Sequence, residues 1–137
     1  MTGSALLLFA SWSIVLLVGI ALYRTWVSMT AGKALNSFSA AGTELPAFGQ
    51  RLTRAHANTY EFLPIAGAVM LFAIATDQTA ITDGLATVLI GARLAQSLVH
   101  LVSTSMIAVL TRFVFFFVQI CVVGYWITLL MQATPQL

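Results

Sequence analysis

Four long apolar stretches dominate the chain, running roughly from Ala5 to Met29, Tyr60 to Thr76, Gly84 to Val102 and Phe113 to Met131. Each is near the length of about 20 helical residues needed to cross a hydrocarbon core. Each therefore reads as a membrane-spanning helix, and one small bundle uses up the chain. Composition agrees: 60% of the 137 residues are hydrophobic and 7% are charged, against about 25% charged in soluble domains, and the mean hydropathy is +0.97. The expected fold is all-α, an integral membrane four-helix up-down bundle forming a single domain over residues 1–137, with short connections that make consecutive helices antiparallel.

The N-terminal run MTGSALLLFASWSIVLLVGIALYR has no basic start and is longer than a signal-peptide core, so it reads as a retained helix. Cys121, the single cysteine, has no partner for a disulfide or a zinc site and reads as a buried small hydrophobe. The net charge of +2 with no basic run gives no footprint for nucleic acid. There is no internal repeat, phosphate-binding glycine loop or HExxH. Arg24, Lys33, Arg51 and Arg54 flank the first connection and Arg112 falls at the third, whereas the second carries only Asp77 and Asp83. The positive-inside rule then puts the first and third connections in the cytoplasm and both termini on the other side. The third connection lacks glycine and proline, which leaves its turn open between Ser103 and Arg112.

The ionic residues are not scattered. In RLTRAHANTYEFLPIA, residues 51–66, Arg51, Arg54, Asn58 and Glu61 fall within an arc of roughly 80° if the segment continues the second helix at about 100° per residue. His56 and Tyr60 point the other way. The arginines can snorkel to the headgroups, but Glu61 is followed at once by FLPIAGAVMLFAIA and needs a partner. Pro64 removes a backbone donor beside this stripe and predicts a kink there. On the third helix Arg93, Gln96, Ser97, His100 and Thr104 share one face. A lone arginine at such depth is unfavourable by roughly 3 kcal/mol, so Glu61 is expected to pair with Arg93, within the bundle or across a subunit boundary. The remaining cations repel one another unless an anion joins them, which suits either a small polyvalent anionic ligand or a lipid headgroup. FVFFF at 113–117 reads as lipid-facing bulk, and Trp12, Trp26 and Trp126 as interface anchors or packing. For His100, packing and a place in the site both remain open.

The residues Arg51, Arg54, Ala55, His56, Asn58 and Glu61 spell R-x-x-R-A-H-x-N-x-x-E, with Pro64 three positions on. This pattern resembles the signature of the MAPEG family, the membrane-associated proteins in eicosanoid and glutathione metabolism, and the likeness extends over essentially the whole chain. The resemblance implies a homotrimer that holds glutathione between subunits near the cytoplasmic side and turns it, as a detoxification enzyme, on hydrophobic electrophiles or lipid hydroperoxides. Arg54, Asn58 and Glu61 match positions that hold the peptide, Arg51 and Arg93 match arginines of the same site, and Gln96 and His100 match positions that face glutathione. Arg112 is the best match to the arginine that stabilises the thiolate. The chain departs from the eicosanoid enzymes at His100 and Phe116, where tyrosines are usual, and at Ala57, which lacks a charge some members carry. It looks more like bacterial members, which implies a bacterial inner membrane. Members that act as non-catalytic lipid- or protein-binding scaffolds supply the competing reading. A proton relay through Glu61, Arg93 and His100 is third, and it lacks a polar chain leading to the far face.

Overall fold

The computed structural model describes residues 1–134, which form α1 (Thr2–Ala31), a short 3-10 turn (Leu35–Ser37), α2 (Ala47–Ala75), α3 (Thr79–Val102) and α4 (Met106–Ala133). All four helices are long and apolar enough to span a membrane, and the chain is an integral membrane four-helix protein. The helices outrun the apolar stretches: α2 begins thirteen residues before Tyr60 and α4 seven before Phe113. Residues 51–62 are therefore helical, as the stripe on them requires. The helix continues through Pro64 without a break in its assignment. The 3-4 turn is settled at Ser103–Ser105, where Ser103 Oγ accepts from Ser105 N at 3.1 Å and Ser105 Oγ caps α4 by accepting from Ala108 N at 3.3 Å. Arg112 thus lies inside α4, not at a connection, and Thr104 falls outside α3.

α1, α2 and α3 pack on one another, while α4 lies chiefly against α3 with a thinner seam to α2. In lipid no hydrophobic force drives helices together, so close packing must do so, and small residues allow it. Ala66, Ala73 and Ala86 are fully buried where helices meet, around Phe9, Met70, Leu89 and Trp126. The outward faces remain apolar, as for Leu7, Ile14, Leu71 and Phe113. Cys121 belongs to that outward face and is exposed, which corrects the expectation that it is buried. In a helix apolar all round, hydrophobicity does not reveal which side is inside; α4 buries Gln119, Val122, Val123, Trp126 and Leu130 instead. Within FVFFF, Phe113, Val114 and Phe117 are exposed and Phe116 turns inward against Phe62, at 5.9 Å between ring centroids.

Gly49 lets α1 and α2 approach: a Cβ there would lie 2.5 Å from Tyr23 Cε1 and 2.9 Å from Leu45 Cβ. The Tyr23 ring packs against both Trp26 and Phe48, at 5.5 and 5.4 Å, so it has little room to swing aside. Overpacking of this kind costs about 1–3 kcal/mol, more than the gain of up to about 1 kcal/mol from removing a helical glycine. Gly49→Ala is accordingly expected to lower the thermal unfolding temperature in detergent, whereas Gly84→Ala, with open space at its Cβ, leaves it unchanged or raises it.

At one end of the bundle the Thr2 hydroxyl donates to Asp83 Oδ1 at 2.6 Å and meets Thr82 Oγ1 at 2.6 Å, fastening α1 to α3. At the other end the first connection is tied to the helices. Gly32 ends α1 in the left-handed conformation (φ 64°), and Arg24 Nη2 donates to Ser39 O at 2.8 Å. The Glu44 carboxylate accepts from the Ser39 hydroxyl at 2.8 Å and the Ser39 amide at 3.1 Å. These bonds, the hydroxyl's first, hold the exposed Glu44 carboxyl at about 2, below its ordinary 4.5. A depressed acid stabilises the folded form above the unfolded value, and that contribution disappears as pH falls through the folded one. Amide exchange at Ser39 is thus expected to stay protected at neutral pH and to lose protection between about pH 4.5 and pH 2.

Candidate functional site

The polar residues meet in two clusters, the first at mid-bundle and the second nearer the end that carries the third connection. The first lies between α2 and α3. Arg93 is 1% exposed, and its guanidinium carbon stands 5.3 Å from the Phe9 ring centroid and 4.9 Å from that of Phe62. Cation–π attraction to the two rings favours a charge that burial alone would oppose. Its Nη1 donates to Asn58 Oδ1 at 2.6 Å and more weakly to the Asn58 carbonyl at 3.3 Å. Arg93 Nε and Nη2 have no partner among the described residues.

The expected Glu61–Arg93 pair is not made within the chain. Glu61 is exposed on α2, and the ion pair found among the described residues joins the Met1 amine and Asp83, 3.0 Å apart. The reason is rotational: Glu61 lies about 60° around α2 from Asn58, and Asn58 is the residue that faces Arg93. Arg54 is likewise exposed. Arg51 is half-buried and caps α3: its Nε donates to Leu101 O at 2.8 Å, where the helix dipole favours a cation, and its guanidinium lies 5.9 Å from the Phe48 ring. Phe48 and Leu101 also line an apolar cleft of about 450 Å³ that continues along α1 past Tyr23, Gly19 and Trp12. His56, on the other side of α2, is stacked on Tyr60 at 6.2 Å and takes no part in either cluster.

The second cluster lies between α3 and α4. Arg112 Nη1 is 2.7 Å from His100 Nδ1. Arginine only donates, so Nδ1 accepts, and the ring is neutral with its proton on Nε2. One turn back, Gln96 Nε2 donates to the Arg112 carbonyl at 3.2 Å. Gln96 Oε1 accepts from Gln119 Nε2 at 3.0 Å, and Gln119 Nε2 also donates to Phe115 O at 2.8 Å. Gln96 is 2% exposed and Gln119 fully buried. Between the clusters, Thr59 and Ser97 hydroxyls meet at 3.3 Å.

The structure thus brings together Arg93 with Asn58, and Arg112 with His100 and Gln96, places Arg51 at the same end, and leaves Arg54 and Glu61 on the outer surface of α2. Sequence reasoning missed Gln119. A signal existed: it is the one glutamine within the apolar FVFFFVQICVVGYW and lies seven residues, two turns, beyond Arg112. It missed the rings of Phe9 and Phe62 as well, which no spacing distinguishes from ordinary core. Chemically the site is cationic and rich in donors, with neither Arg93 nor Arg112 matched by a carboxylate among the described residues. Nor do these residues contain a cluster of His, Cys, Asp and Glu able to hold a metal.

The MAPEG family model matches residues 2–131. No curated protein and no solved structure matches the chain. The matched span takes in every residue of both clusters, and the chain belongs to the MAPEG family.

Proposed function

We propose that the protein is a membrane glutathione transferase, with peroxidase capacity, that activates glutathione as a thiolate toward hydrophobic electrophiles or lipid hydroperoxides. The observation that carries this reading is Arg112: a half-buried cation, held at its carbonyl and its guanidinium by α3, with a neutral imidazole and, among the described residues, no carboxylate paired with it. A guanidinium so placed is available to a thiolate, which it favours over the thiol. Arg51, Arg54, Asn58, Glu61, Arg93, Gln96 and His100 form the cradle for the peptide. Arg93 offers two unpaired donors to a carboxylate, and the outward-facing Arg54 and Glu61 suit a site completed by a neighbouring subunit in a homotrimer. The cleft beside Arg51 suits an apolar co-substrate arriving from the bilayer.

In conjugation the thiolate forms a C–S bond and expels the leaving group. In the peroxidase reaction two glutathiones are oxidised to the disulfide, and the hydroperoxide becomes an alcohol and water. The basic first connection favours the cytoplasmic side for this end of the bundle, with both termini on the other side, and the likeness to bacterial members favours a bacterial inner membrane. The scaffold reading has one observation in its favour, the engagement of Arg112 Nη1 by His100. Detergent-purified protein assayed for glutathione binding, for conjugation to a generic aromatic electrophile and for hydroperoxide reduction separates the two. Turnover supports the enzyme; binding without turnover overturns it in favour of the scaffold, and absence of binding overturns every glutathione-based reading.

A further inference from the structure

A fully buried glutamine in a membrane helix calls for a reason. Gln119 spends both of its amide hydrogens, one on Phe115 O in its own helix and one on Gln96 Oε1 across the α3–α4 seam, while its Oε1 has no partner among the described residues. A partly satisfied buried amide is no better for stability than an apolar residue of the same shape, so stability does not account for it. Its connections do. Gln119 holds the Gln96 side chain, Gln96 donates to the Arg112 carbonyl, and His100, one turn along α3 from Gln96, receives the Arg112 guanidinium.

Arg112 is therefore gripped at its backbone and at its head by one face of α3, and the backbone grip is maintained from Gln119. Without that grip the Arg112 backbone is no longer tied to α3 at this level, and a small rotation of α4 about its axis re-aims the guanidinium, since each residue step turns the helix by about 100°. Ser103–Ser105, which joins the two helices, is a short connection but lies seven residues and more from Arg112 and does not by itself aim it.

We propose that Gln119 is a positioning residue, which acts through Gln96 to aim the Arg112 guanidinium at the site of the sulfur. The proposal rests on the reading of Arg112 as the thiolate stabiliser. Its test is the thiolate absorbance of bound glutathione measured against pH. Gln119→Met keeps the volume and removes the amide. It is expected to retain the thermal unfolding temperature and the glutathione affinity, yet to move the thiolate midpoint upward, so that the thiolate fraction at neutral pH falls about 3- to 10-fold. Because the effect passes through Gln96, the double variant Q96M/Q119M is expected to shift no further than Gln96→Met alone. Gln119→Asn, a methylene too short to reach Gln96, carries the same expectation should the methionine variant not fold. A wild-type thiolate that Gln119→Met and Gln119→Asn leave intact, or shifts that add in the double variant, overturn this proposal and spare the reading of Arg112. Wild-type protein that binds glutathione and forms no thiolate overturns both.

Discussion

Arg112→Ala is expected to lower kcat/KM for conjugation at neutral pH by about 8- to 25-fold while changing glutathione affinity by no more than about fourfold. A free thiol, with a pKa near 8.5, is only a few per cent ionised at neutral pH, and a hydrogen-bonded guanidinium in a partly desolvated seam depresses it by about one to two units, each about 1.4 kcal/mol. The peptide is held elsewhere, by α2 and by Arg93, so the loss falls on chemistry more than on binding. Its pH dependence is the discriminating feature. Above about pH 8.5 the thiol ionises unaided, and the gap between wild type and variant should close. Arg112→Lys keeps the charge but lacks the planar fork that here reaches His100 at 2.7 Å, and it should fall between the two. A rate deficit that persists undiminished at high pH would show that Arg112 acts in some way other than on the thiol.

The second large effect concerns the buried Arg93. Asn58→Leu removes the side-chain partner at 2.6 Å and leaves a 1% exposed cation with only the weaker contact to a helix carbonyl. Breaking a hydrogen bond to a charged group costs about 1.5–3 kcal/mol, and the unfolding temperature should fall accordingly. Arg93→Met removes the charge itself. Replacing a buried ionic group by an apolar one is often neutral or stabilising, so this variant should be as stable as wild type, and the double variant N58L/R93M no less stable than it. Glutathione binding separates from stability here, since Arg93→Met should lose it while keeping the fold. Unfolding curves in detergent beside calorimetric titration with glutathione check both halves. If Arg93→Met proves the more destabilising of the two, Arg93 is a structural residue first.

Much of this arrangement is legible in the sequence, and the limits have physical causes. Helix number and the face shared by Arg51, Arg54, Asn58 and Glu61 follow from apolar length and the 3.6 period. The helix ends do not, because polar residues such as Arg51 continue α2 well beyond the hydrocarbon-length stretch and no glycine or proline marks Ser103–Ser105. Charge seeks charge in lipid, and on sequence grounds this pairs Glu61 with Arg93. The side chain at the right azimuth is the neutral Asn58, and two aromatic rings supply the rest of the guanidinium's environment. Cys121 shows the converse limit: where every side of a helix is apolar, composition cannot say which is inside. Gln119 was visible as an isolated polar residue, but its link to Arg112 runs through Gln96 on another helix, which only the packing of α4 on α3 reveals.

The central claim is that this bundle binds glutathione and holds it as a thiolate beside Arg112. It is tested most directly by titrating detergent-purified protein with glutathione at neutral pH and following thiolate absorbance. Saturable growth of that absorbance in wild type, and its loss in Arg112→Ala with binding retained, is the predicted result. Binding of glutathione that stays a thiol in the wild type, or no binding at all, would contradict it.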